Sequence, residues 1–301
     1  RGDIETLNAR DYDHVEPVLD EIEHRLGARA SVMDFVVEEA LDPAIETGWD
    51  GVAIDGQFWS KTMSGIEKKD AAYVCKIIDR SKVPPQVTAV NEAVSAHMRK
   101  NQYRGFWSTE VRVTPDGKGY LIDGTARCGS PPNELMQIMC NNLSEVIWEG
   151  AGGILLEPDF GDNKWGAEVL LHSTWADSNY AHIRFPEEYR DNIKLRHYTV
   201  IDGEIYVSPQ STGMPEIGAV VATGKTAKEA IDKAKEIAET VESHQIEIPV
   251  DQMDEALADL KKILGEQKPV SKEQRAAEEA VKAGKISQRQ FDKMAEKEGW
   301  A

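Results

Sequence analysis

The sequence predicts an α+β protein: an antiparallel sheet with packed helices, then a small β-rich subdomain, then a helical tail. Three features of the 301 residues predict it. An aromatic and β-branched run, Phe106 to Val113, meets a Pro-Asp-Gly-Lys-Gly turn at 115–119 and restarts as Tyr120 to Asp123, which is hairpin chemistry. Apolar residues recur at helical spacing on both sides of that hairpin. From Asp251 onward the chain becomes charged and helical in pattern.

Taken in order, Asp13 with Glu16 three residues on forms a capping box. Val15, Val18, Leu19, Ile22 and Leu26 make a stripe that Gly27 ends. Residues 34–46 read as an apolar strand ending in acids, and Gly48–Gly56 as a second strand. Ser60–Asp70, with Lys61, Lys68 and Lys69, reads as a polar loop with solvated lysines. Helices are expected at 86–100, through Val87, Val90, Val94 and Met98, and at 133–148, through Leu135, Ile138, Met139 and Leu143.

Short strands are expected at Ala167–Leu171, His182–Phe185, Leu195–Ile201, Ile205–Val207 and Ile217–Ala222, with a tight turn at Asp202-Gly203. Thr226 and Glu229 cap a helix striped by Ala230, Ile231, Ala234, Ile237, Ala238 and Val241. Gly224-Lys225-Thr226 lacks the upstream glycine of a phosphate-binding P-loop, because residue 219 is Ala219, so Thr226 reads as a cap. Met253 to Leu264 forms a helix that Pro269 stops, and caps at Ser271 and Ser287 start a short helical hairpin resembling oligomerisation modules. The expected division is 1–150, 151–248 and 249–301.

The formal charge of −18 disfavours nucleic acid and anionic membrane as partners, since both would repel such a surface. Cys75, Cys128 and Cys140 have no metal-ligand spacing and read as reduced thiols, which points to the cytoplasm. No apolar run reaches membrane length. The seven histidines are scattered, with His172, His182 and His197 read as surface or satisfied-core groups.

The chemistry concentrates on the hairpin. Side chains alternate faces along a strand, so Glu110 and Arg112 share one face, and Asp123, Thr125 and Arg127 share one face of the next strand. Two carboxylates opposed across a hairpin can hold a hard divalent cation, and a nearby arginine suits phosphate oxygens. The same pattern alone also describes the solvated face of a sheet.

The stretch Ile122-Asp123-Gly124-Thr125-Ala126-Arg127-Cys128-Gly129-Ser130-Pro131 resembles the metal-binding segment of ATP-grasp ligases, notably the phosphoribosylamine-glycine ligase branch. The resemblance implies ATP and Mg2+ as cofactors and a C–N ligase that joins a carboxylate to an amine through an acyl phosphate. By position, Glu110, Asp123 and Thr125 would bind magnesium. Arg127 would face the acyl phosphate, and Arg112 is the second catalytic candidate.

The acids after residue 34 resemble that family's hinge, where Glu38, Glu39, Ala40 and Leu41 would line adenine and Glu46 would hold the ribose. Asp123 stands where the family has Glu, and Thr125 where it has Asn, which leaves open a non-catalytic relative serving as a structural or binding protein. Arg1-Gly2-Asp3 starts without Met, as expected of the C-terminal part of a longer protein. Implied partners are small-molecule carboxylate and amine substrates, with a homo-oligomer or pairing with an N-terminal half left open.

Overall fold

The computed structural model describes residues 12–32, 38–41, 43–211 and 215–265. The described residues fall into two compact units, one before Ile45 and one from Ile45 onward. In the first, α1 (Tyr12–Leu26) is followed by a 3-10 helix, Gly27–Val32, and Asp13 stands within the first turn of α1. The helical hairpin expected after Pro269 lies outside the described residues.

The second unit is built on one large sheet. Its strands are β1 (Ile45–Ile54), β2 (Gln57–Phe58), β3 (Lys61–Lys68), β4 (Ala72–Asp79), β5 (Arg104–Val113) and β6 (Gly119–Thr125), then β7 (Trp165–Ser173), β9 (Ile193–Leu195), β12 (Glu216–Gly224) and β13 (Ile246–Glu247). The order is β6-β5-β1-β3-β4-β7-β12-β9, and neighbouring strands in it pair antiparallel. A second sheet pairs β10 (Tyr198–Ile201), β11 (Glu204–Val207) and β8 (Ala181–Ile183). Helices α2 (Pro85–Lys100), α3 (Pro132–Met139), α4 (Leu143–Ala151), α5 (Ala227–Ala238) and α6 (Gln252–Ile263) complete the unit. Strands from residues 45–125 and from 165–224 therefore share hydrogen bonds in one sheet, joined at β4 and β7.

The fold expected from the sequence is present as α+β with a large antiparallel sheet and packed helices. Three elements differ; one is the strand expected at Leu195–Ile201, which is β9 in the large sheet and β10 in the second. Residues 60–70 are not a polar loop: residues 61–68 form β3, a central strand between β1 and β4. Its middle is small and polar, but Thr62 and Ser64 are fully buried, and the Thr62 hydroxyl donates to the Asp50 carbonyl at 2.8 Å. Lys68 emerges at its end and pairs with Asp259 of α6 at 2.8 Å.

The helix expected over 133–148 is two helices. Asn141 and Asn142 break it because they serve the segment 157–159: the Asn141 amide donates to the Asp159 carbonyl at 2.8 Å, and the Asn142 side chain holds the Asp159 N–H at 2.8 Å and the Glu157 carbonyl at 3.1 Å. Thr226 caps α5 as expected, accepting the Glu229 N–H at 3.2 Å, while the Glu229 carboxylate accepts the Lys225 N–H.

Each face of the sheet has its own core. Ile66, Val74, Ala167, Val169 and Val220 point to the side covered by α5 and α6, and Met63, Cys75 and Val221 to the side covered by α3. A tyrosine crosses that second side. Tyr73 of β4 reaches over β3 and donates its hydroxyl to Asp50 Oδ2 of β1 at 2.7 Å, and a Cβ at Gly65 of β3 would overlap its ring. Gly65→Ala is expected to destabilise the fold by about 1–3 kcal/mol, as overpacking does. Gly105→Ala, where the nearest atom lies 3.7 Å from the added Cβ, should change far less. Urea denaturation of the two variants checks the difference.

Candidate functional site

The hairpin aligns its acids directly. In the β5–β6 pairing Glu110 stands opposite Asp123, with an irregularity just after it between Glu110 and Val111. The Thr125 hydroxyl is buried and donates to Asp123 Oδ2 at 2.8 Å. It thus orients the carboxylate and keeps its oxygen lone pairs for a further partner. Arg127 is exposed, and its Nη1 donates to the Cys128 carbonyl at 2.6 Å. Arg127 also lines a small pocket with Asp50, Ser108, Cys128, Asn133 and Met136.

The remaining expected residues divide. Glu46 lies within β1 rather than after it, opposite Arg112, and pairs with the Arg112 Nε at 3.5 Å, so both belong to the same row as the hairpin acids. Glu38, Glu39 and Leu41 belong to the first unit: residues 38–41 have irregular backbone, with Glu38 and Glu39 exposed and Leu41 half-buried. Residues 33–37, the body of the expected hinge strand, lie outside the described residues. Arg104 is held by Asp55, at 3.0 Å from Nη2, and by the Ala151 carbonyl at 3.1 Å. Lys61 and Lys69 are exposed.

The same sheet face carries further acids that sequence reasoning missed. Asp50 is buried, accepts hydrogen bonds from Tyr73 and Ser108, and is still pushed upward in pKa by burial. Glu67 of β3 is raised from 4.5 to about 8, first by burial and then by the charges of Glu110, Glu46, Asp50 and Asp70. Glu168 of β7 is raised well above the ordinary range, mainly by burial. Glu67 was hidden because its strand looked like a loop. Glu168 had a legible signal, since it is a lone acid inside the apolar run Trp165–Leu171.

An acidic band therefore crosses the sheet from β6 to β7. Such a face favours cations and protons, and Glu67 responds by keeping its proton. Among the described residues no three His, Cys, Asp or Glu side chains converge as a metal site. Magnesium bound through one or two carboxylates and substrate phosphates needs no such trio, and the Glu110–Asp123 pair with the Thr125 hydroxyl offers that kind of donor set.

No protein-family model matches the chain, and no curated protein matches it in sequence. Solved structures do match. The phosphoribosylamine-glycine ligase of Thermotoga maritima superposes with a TM-score of 0.55 at 17% identity, over 71% of this chain and 56% of that one. The biotin carboxylase domain of a thermophilic 2-oxoglutarate carboxylase, bound to bicarbonate, gives 0.52 at 12% identity, over 85% and 62%. Biotin carboxylase of Campylobacter jejuni, in a β-γ-ATP complex, gives 0.52 at 14% identity, over 72% and 50%. These are ATP-grasp enzymes, and the fold of this chain is the ATP-grasp fold. The chain spans less than two thirds of the length of each.

The Glu67 shift has a definite sign. Between pH 5 and 8 the unfolded chain has released this proton while the folded chain retains it, so the folded state loses stability as the pH rises. Glu67→Gln should lose less stability than the wild type from pH 5 to pH 8 in chemical denaturation. An equal loss in both would show that Glu67 is ionised in the fold.

Proposed function

We propose that the chain acts as an ATP- and Mg2+-dependent ligase joining a carboxylate to an amine through an acyl phosphate. The observation that carries this reading is the opposition of Glu110 and Asp123 on one hairpin of an ATP-grasp fold, with Thr125 fixed on Asp123 and Arg127 just beyond. A related biotin carboxylase domain, from Hydrogenobacter thermophilus, was solved with MgADP and bicarbonate, which supports the choice of nucleotide and metal.

Phosphoryl transfer from ATP to a carboxylate is mainly positioning and charge neutralisation. Magnesium, when bound, would supply a Lewis acid for the phosphate oxygens. Glu110 and Asp123 would hold it, and Thr125 would keep the Asp123 carboxylate turned toward it. Arg127 would leave its carbonyl contact and support the charge that develops on the transferred phosphoryl group. Arg112, held by Glu46, would add positive charge on the same face. Glu46 is proposed to hold the ribose while also pairing with Arg112. The amine then displaces phosphate from the acyl carbon.

A second reading, a binding protein that kept the scaffold, draws on Thr125 offering a hydroxyl where the ligases have an amide oxygen, and on Arg127 being turned onto Cys128. ATP turnover with carboxylate and amine panels separates the two, since only the ligase releases ADP.

The ligase reading requires the metal assignment. Magnesium with ATP at about 100 times the dissociation constant should stabilise the chain by about 2.7 kcal/mol, and ATP with EDTA should do much less. Thermal denaturation of the Glu110→Ala, Asp123→Ala double variant should show the magnesium-dependent part abolished. An undiminished shift would remove these two residues from the site.

A further inference from the structure

We propose that the chain pairs with a second copy of itself along the free edge of β10, antiparallel and two-fold symmetric about Thr199. Two three-stranded sheets then become one of six strands. The pairing does not rest on the ligase reading.

β10 is the outer strand of the sheet β10-β11-β8, and its register on β11 is fixed. Tyr198 to Ile201 pair one to one with Val207 to Glu204, and Asp202 and Gly203, with φ of 52° and 86°, close a two-residue turn. The His197 carbonyl accepts the Ser208 N–H at 2.9 Å, so by alternation His197, Thr199 and Ile201 direct their backbone groups to β11. Tyr198 and Val200 direct theirs outward. Among the described residues no backbone group meets them.

This edge is also undefended. Sheets commonly blunt an exposed edge with lysine, proline, a bulge or a covering segment. β10 reads Tyr198, Thr199, Val200, Ile201, all good strand formers, without a register shift. Tyr198, Val200 and Ile201 are 44%, 58% and 47% exposed, an apolar strip beside unmet hydrogen-bonding groups. The other side of the same sheet is covered: Arg184, just after β8, exchanges both backbone hydrogen bonds with Glu242.

A second copy is the occupant that fits. The two outward residues lie symmetrically about Thr199, so Tyr198 of each copy can exchange both backbone hydrogen bonds with Val200 of the other. Charge follows the same symmetry. Arg190, stacked on the Tyr198 ring at 5.6 Å, and Arg196 lie at the start of the strand, while Asp202 and Glu204 stand at its end. Antiparallel pairing lays each start beside the other copy's end, so unlike charges meet. The exposed outer strand of the large sheet, β6, has the opposite character. It carries Asp123 opposite Glu110, and self-pairing there would set two acidic rows side by side.

The test is sedimentation equilibrium of the intact chain over a concentration series, which should show a monomer–dimer equilibrium. Val200→Lys places a charge on the edge, and Val200→Pro removes an N–H that β11 does not use; each should raise the dissociation constant about tenfold or more. Leu121→Lys on β6 should leave it at the wild-type value. Thr199→Cys reads the register. The two Thr199 residues would face each other as a non-hydrogen-bonded pair with Cα atoms about 4.5 Å apart, within disulfide reach, so mild oxidation should give a reducible covalent dimer. Ile201→Cys, opposite His197 of the second copy, should cross-link no more than the wild type. A monomer at every concentration, a dimer that both Val200 variants retain or that Leu121→Lys abolishes, or cross-linking at 201 as ready as at 199, would overturn the pairing.

Discussion

The hydrogen bond from Tyr73 to Asp50 holds the second unit in register. It joins β4 to β1 across an intervening strand, and Ser108 of β5 closes on the other oxygen of the same carboxylate. Three strands thereby share one buried acceptor group. Burying a carboxyl group costs several kcal/mol unless its oxygens are met, so a slip of any of these strands would expose that cost at once. The hairpin acids take their positions from this arrangement: β5 is aligned on β1 along its whole length, with Asp50 opposite Ser108 and Gly48 opposite Glu110, and β6 is aligned on β5.

From that alignment comes the acidic face. Glu46, Glu67, Glu110 and Asp123 occupy neighbouring strands on one side of the sheet, with Arg112 as the nearest counter-charge. A surface that tolerates so many carboxylates stays folded by keeping some of them protonated, as Glu67 does, or by pairing them, as Glu46 does. A divalent cation would relieve this electrostatic setting, which does not depend on any single ligand residue.

Much of the fold could be read from local chemistry. The hairpin at 106–123 announced itself through turn residues between β-branched runs, and α5 through its cap and apolar stripe. What escaped had physical reasons. The strand β3 is built from Thr62, Ser64 and Gly65 because a tyrosine ring must pass over it and a neighbouring carbonyl must be met, so its composition is that of a loop. The break between α3 and α4 is caused by a segment some 15 residues downstream that borrows Asn142, which no local pattern records. The opposition of Glu110 and Asp123, with Thr125 two residues on, was legible because the hairpin fixes the register. Asp50 and Glu67 were not, since their environment is made by strands distant in sequence, whereas Glu168 showed only as a lone acid in an apolar run.

The tyrosine bridge also limits how this chain can vary. A larger residue at 65 has no room while Tyr73 remains, and a smaller one at 73 leaves Asp50 short of a donor and opens space above Gly65. Replacing Asp50 strands two hydroxyls. The three positions sit on three strands, so a single substitution at any of them begins at a loss, and an acceptable alternative needs coordinated change at all three. Drift in this part of the sheet is therefore expected to proceed by rare joint replacements, while the exposed β6 residues Tyr120, Leu121 and Ile122 remain free to change one at a time.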